Sequence, residues 1–165
     1  MVGAVSARRK LVVFEDPQCP FCRQFEEVSG DLLRREVAAE SLVIEYRMRC
    51  FLGVESVRAD NALALAAELG RFDELRREMF ASQPPENSGG YTVADLTALG
   101  RLVGLTDPDY VAGVREGRYE KWAIEIDRVF QQQDPRGTPA AILDGEQISP
   151  DTLFDPASLG AVLRG

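Results

Sequence analysis

Residues 14 to 23 read FEDPQCPFCR. They follow Leu11-Val12-Val13-Phe14, a short apolar run rich in β-branched residues that reads as a buried strand. Beyond them Phe25, Val28, Leu32 and Leu33 recur at helical spacing through about Glu40. Pro20 suits the first turn of that helix, where its missing N–H costs nothing. A second strand, Leu42 to Met48, comes next. Strand, helix and strand in such close succession form a βαβ unit, which requires parallel strands and a right-handed crossover. The two cysteines therefore fall where the first strand turns into the helix.

The middle of the chain changes character. Val57, Ala62, Leu65, Ala66 and Leu69 mark an amphipathic helix stopped by Gly70, and Phe72, Leu75 and Met79 mark another ended by Pro84-Pro85. Glu86 to Gly90 is the most linker-like segment. Thr92 with Asp95 resembles a capping box opening a third helix through Leu96, Leu99 and Val103. Trp122, Ile126, Val129 and Phe130 mark a further one, with Trp122 expected in a core or an interface. The β pattern then returns: Pro139 to Leu143 is a strand, Asp144-Gly145 a tight turn and Glu146 to Ile148 the return strand. A last helix, about Pro156 to Leu163, closes the chain. The expected fold class is α/β, a βαβ…ββα frame with an all-helical insertion between the second and third strands. The division is 1–52 and 133–165 for the frame and 53–132 for the insertion.

The chemistry open to this chain is narrow. It has no histidine, which removes imidazole bases, Cys-His nucleophile pairs and histidine-containing zinc sites. A formal net charge of −8 disfavours nucleic acid and anionic membrane surfaces as partners. The basic cluster Arg8-Arg9-Lys10 is short and is expected to be a solvated lead-in. No apolar run reaches the roughly 18 residues of a membrane span.

Two cysteines with Pro20 and Phe21 between them can hold a metal, staple the chain, or react. A structural zinc site wants about four ligands, and only the distant Cys50 is left to add. A disulfide across so small a loop removes little unfolded-chain entropy. The reacting pair uses every local feature. Cys19 at the helix N-cap meets unpaired backbone N–H groups and the positive end of the dipole, both of which favour thiolate. Cys22, one turn along and shielded by the helix, is placed to resolve a mixed disulfide at Cys19. Cys19 is thus the expected nucleophile and Cys22 the resolving thiol. A second element, Arg136-Gly137-Thr138-Pro139, ends in a proline that either takes a cis peptide bond or simply starts a strand in trans.

VVFEDPQCPFCRQFE near the start, NALALAAELGRFDEL in the middle and GTPAAILDG near the end together resemble the thioredoxin superfamily, specifically its DsbA-like branch. The resemblance covers nearly the whole chain and implies a thioredoxin fold. It also implies thiol–disulfide exchange with cysteine-containing protein substrates, without metal or dissociable cofactor. On this likeness Thr138-Pro139 is a cis-proline loop against the cysteines, and the Thr138 backbone pairs with an extended substrate segment. A disulfide donor, recycled by an unidentified redox partner, is the expected direction. A glutathione-dependent transferase or isomerase and a redox-inert binding module are the alternatives. An extracytoplasmic setting with a leader absent from this chain is expected, or a cytoplasmic one if Met1 is the native start.

Two departures matter. Strongly oxidising relatives carry histidine where this chain has Phe21, so Cys19 is expected to be less acidic and its disulfide less oxidising than theirs. Many thioredoxin-like proteins bury an acid at the position held here by Val13. Glu15 is the nearest substitute for proton transfer, although Glu15 and Asp16 read first as solvated or capping residues. Cys50 is expected to be a small buried hydrophobe, or, as the sharper alternative, a regulatory thiol.

Overall fold

The structure is a computed structural model describing residues 1–133 and 137–165. Strand β1 (Arg9–Glu15) leads through Pro17 and Gln18 into helix α1 (Pro20–Ala38), and β2 (Leu42–Met48) returns parallel to β1. Five helices follow: α2 (Val54–Glu68), α3 (Phe72–Ala81), α4 (Val93–Leu102), α5 (Pro108–Glu116) and α6 (Glu120–Gln131). The chain then adds β3 (Ala140–Leu143), β4 (Glu146–Gln147), α7 (Pro150–Leu153) and α8 (Pro156–Arg164). The sheet order is β2-β1-β3-β4, with β3 antiparallel to both β1 and β4. This is the expected α/β frame with helices between its second and third strands. Among the described residues, no helix is long and apolar enough to cross a membrane.

Two apolar clusters support the cysteines from either side. One packs Leu11 and Val13 of β1 with Phe25 and Leu33 of α1, Ile44 of β2 and Leu159 of α8. The other lies among the helices, around Leu63, Leu75, Met79, Tyr91, Leu96 and Tyr110. The Thr92–Asp95 capping box forms as its spacing requires. Asp144 and Gly145 both take positive φ, 49° and 96°, the conformation of a two-residue hairpin turn. Gly100 is required by a close approach: a Cβ there would lie 2.5 Å from the Tyr110 ring, so α4 and α5 pack nearly backbone to ring.

Several expectations are corrected. Arg9 and Lys10 are not a solvated lead-in but open β1, where Arg9 pairs with Asp144 and Lys10 with Glu45. Helix α5 lacks a continuous apolar stripe, having Asp107 and Pro108 as its start and Gly117 as its left-handed stop, and apolar spacing alone passes over it. The four-residue α7 is likewise too short for periodicity to mark. Val28 faces solvent; the buried face of α1 is carried instead by Ser29, whose hydroxyl donates to the Leu153 carbonyl at 2.7 Å. Trp122 is 50 % exposed, so it is not a core residue, and it meets Tyr119 edge-on.

The largest correction concerns Glu15 and Asp16, which are both fully buried rather than solvated. Glu15 is held by Arg76 of α3 in a two-pronged pair, Nε to Oε2 at 2.6 Å and Nη2 to Oε1 at 2.8 Å. The same guanidinium donates to Glu26 of α1 at 2.9 Å and lies over the rings of Tyr46 and Phe80. One buried cation therefore ties the end of β1, the first turns of α1 and the helical block together beneath the cysteines. Removing one partner of such a group strands the other charge, at a cost of about 3–5 kcal/mol. Arg76→Met should lower unfolding stability by about that amount in urea titrations. Arg23→Ala, which breaks the exposed Arg23–Glu27 pair on α1, should cost less than about 1 kcal/mol.

Candidate active site

Cys19 is the N-cap of α1, in extended conformation, and Pro20 fills the first helical position. The Cys19 amide donates to the Asp16 carbonyl at 2.9 Å, closing the turn before the helix. Both cysteines are free and buried, Cys19 at 5 % exposure and Cys22 at 0 %. They pack with Phe80 of α3 and with Leu52, which lies between β2 and α2. Phe21, between them, is 60 % exposed and presents its ring to solvent. The Thr138–Pro139 peptide bond is cis, and the Cys19 thiol donates to the Thr138 carbonyl at 3.3 Å. The structure thus brings together Cys19, Pro20, Phe21, Cys22, Thr138 and Pro139, with Glu15 beneath them. Arg136 of the same stretch lies outside the described residues.

The pair is electrically asymmetric. Cys19 is lowered to about 6, chiefly by the hydrogen bond from the Cys22 thiol. Burial opposes this, while the backbone N–H groups of Cys22 and Phe21 reinforce it. The Thr138 hydroxyl is buried and has no hydrogen-bond partner of its own among the described residues. Cys22 is pushed well above the ordinary thiol range, first by burial, then by its bond to Cys19 and by the nearby Glu15 carboxylate. One sulfur is built to carry negative charge and the other to keep its proton. No imidazole is needed: the helix terminus and the second thiol do that work.

Residues that sequence reasoning passed over hold this geometry. Asp16 accepts from the Gln18 amide at 2.9 Å, the Ser56 hydroxyl at 2.6 Å and the Leu52 amide at 3.2 Å. Burial raises its carboxyl to about 6, with those hydrogen bonds opposing and the Cys19 charge adding to the rise. Gln18 bridges Ser56 and the Asn87 amide, and Gln83 donates to the carbonyls of Pro17 and Cys19 at 2.8 and 3.0 Å. Tyr91 donates to the Pro17 carbonyl at 3.0 Å. The adjacent Asp16-Pro17-Gln18 could have signalled the turn. Ser56, Gln83 and Tyr91 are scattered through other elements, and no local pattern marks them.

Cys50 is buried, its thiol faces the Ala123 carbonyl at 3.6 Å, and burial pushes it up to about 12. It is therefore a poor nucleophile near neutral pH.

These shifts fix a pH profile. The rate of Cys19 alkylation by iodoacetamide should rise through pH 6 and level off near pH 7, with Cys22 and Cys50 silent in that range. Cys22→Ala removes the largest stabilising contact and should move the profile upward. Asp16→Asn removes a repelling charge and should move it downward.

A family profile described as Thioredoxin matches residues 1–162. Among solved structures, the chain is similar to MdbA, a thiol-disulfide oxidoreductase from Actinomyces oris, at 23 % identity and a TM-score of 0.81, covering 97 % of this chain and 80 % of that one. It is similar to the reduced form of the disulfide bond oxidoreductase DsbG from Mycobacterium tuberculosis at 21 % identity and 0.85, covering 99 % and 84 %. BdbD from Bacillus subtilis, in its oxidised form, matches at 16 % and 0.86, covering 99 % and 89 %. No curated protein matches the chain. These likenesses carry the fold. With the profile spanning almost its whole length, the chain belongs to the thioredoxin family.

Proposed function

We propose that this chain is a thiol–disulfide oxidoreductase acting on cysteine-containing proteins, with Cys19 as nucleophile and Cys22 as resolving thiol. The observation that carries the reading is the opposite tuning of two sulfurs one helical turn apart, Cys19 down to about 6 and Cys22 well above its ordinary range. Groups whose environments push their pKa values apart have taken on different roles.

In the oxidising direction a substrate thiolate attacks Cys19 of the disulfide form. The Cys19–Cys22 bond breaks, Cys22 leaves as a thiolate and takes up a proton, and a mixed disulfide stands at Cys19. A second substrate thiolate then attacks the substrate sulfur, and Cys19 leaves with the electron pair. The substrate has lost two electrons and the cysteine pair has gained them. A leaving group of low pKa departs readily, so the tuning of Cys19 favours disulfide donation over reduction.

Thr138 and Pro139 form the substrate-docking element in this reading. An extended substrate segment pairs with the Thr138 backbone, and exposed Phe21 offers it an apolar contact. Residues 1–52 and 133–165 act as the thioredoxin-like unit, and 53–132 as the helical subdomain that supplies Phe80, Gln83 and Ser56 to the cysteine loop. Disulfide donation suits an oxidising, extracytoplasmic compartment, where a redox partner of this protein restores its disulfide.

Two assays test the activity: oxidative refolding of reduced ribonuclease A, and reduction of insulin by dithiothreitol. Wild type should accelerate both, and Cys19→Ala neither. In Cys22→Ala the mixed disulfide cannot be resolved internally and should accumulate in non-reducing gels. Equal, background-level rates in wild type and Cys19→Ala would overturn the reading.

A further inference from the structure

The cysteines occupy one end of the sheet. A separate cavity of about 520 Å³ opens between the outer strand β2 and helices α2, α3 and α6. That volume lies within the roughly 300–1,000 Å³ range of small-molecule sites, and the junction of two packed units is where such sites are commonly found. Its walls are mostly apolar and aromatic, from Tyr46, Leu63, Phe72, Trp122 and Phe130. The chain's single tryptophan keeps half its surface exposed there.

One polar feature of this lining is unexplained. Asp60 of α2 is 3 % exposed, lines the cavity, and has its Oδ1 buried with no hydrogen-bond partner among the described residues. The other two carboxylates of the lining are engaged: Asp73 with Arg76 and Arg77, and Glu74 with Arg71. A buried acid without a partner costs several kcal/mol, and native structures rarely leave one. Burial pushes Asp60 well above the ordinary carboxyl range, with Asp16 and Asp127 adding to the rise and Arg49 opposing it. What Asp60 Oδ1 lacks is a hydrogen-bond donor, which a cation entering the cavity would supply. Aromatic faces attract that kind of group as well.

We propose that this cavity binds an organic cation with an apolar body, an alkyl- or arylalkylammonium. Its ammonium donates to Asp60 while its body lies among Leu63, Phe72, Trp122 and Phe130. The site does not depend on the cysteines or on the direction of the redox reaction.

Trp122 makes binding directly visible. Phenethylammonium, titrated into the full chain with tryptophan excitation, should give a saturable fluorescence change. Its neutral isostere 2-phenylethanol should bind about ten-fold more weakly or worse, since a charge-assisted hydrogen bond contributes about 1.5–3 kcal/mol. Asp60→Asn keeps the shape of the wall and cannot take on the negative charge that a bound ammonium would draw onto Asp60. It should weaken amine binding about ten-fold while leaving the alcohol unchanged. Ala64→Phe, which fills the cavity from α2, should abolish binding of both while preserving the far-ultraviolet circular dichroism of wild type. Cys19→Ala should bind the amine as wild type does, which separates this site from the oxidoreductase reading. Equal affinity for amine and alcohol, unchanged amine affinity in Asp60→Asn, or no saturable response in wild type would overturn the proposal.

Discussion

The guanidinium of Arg76 is the constraint on which the rest of the site depends. It is 1 % exposed, bonded to Glu15 by two prongs, bonded to Glu26 on α1, and covered by the rings of Tyr46 and Phe80. Buried charge of this kind contributes little net stability compared with an apolar replacement, but it tolerates one geometry only. That geometry fixes the end of β1 relative to α1 and α3. The end of β1 in turn delivers the Asp16-Pro17-Gln18 turn, and the turn sets Cys19 at the helix terminus. A helical block that was free to slide would lose Phe80, Gln83 and Ser56 from the cysteine loop.

On that frame the chemistry follows from burial and hydrogen bonding. Cys19 sits where backbone N–H groups converge, with the second thiol donating to it. Cys22 sits one turn deeper, with no exposure and with the Glu15 carboxylate nearby. The carboxylate that holds the architecture therefore also discourages ionisation of Cys22, so one buried residue serves structure and tuning together. Glu15, two residues beyond Val13 on the same strand, is fully buried and bound to Arg76.

The frame and the setting of the cysteine pair were legible because they rest on local pattern. Strand, Cys-x-x-Cys and helix are contiguous, the Thr92–Asp95 box announces α4, and Asp144-Gly145 announces the hairpin. The burial of Glu15 and Asp16 was not legible, because it depends on Arg76 and Ser56, more than a turn of helix away in other elements and with no spacing to connect them. Local reasoning prices an acid beside a turn as solvated; here a distant arginine and a serine reverse that. Trp122, expected in a core or an interface, lies half exposed at the rim of a cavity. Helix α5 escaped notice because capping residues, not apolar periodicity, define it.

The central claim is that the fold stabilises the Cys19 thiolate and therefore stabilises the reduced protein. A thiol whose folded pKa lies below its unfolded value contributes stability that is full above the unfolded pKa and is lost as pH falls through the folded one. For Cys19 that window runs from about 9 down to about 6. Urea unfolding of the reduced and disulfide forms, measured side by side from pH 8 to pH 5, tests this directly. The account predicts that the reduced form is the more stable at pH 8 and that its advantage shrinks steadily as pH falls through 6. A disulfide form more stable at pH 8, or a difference that does not change with pH, would contradict it.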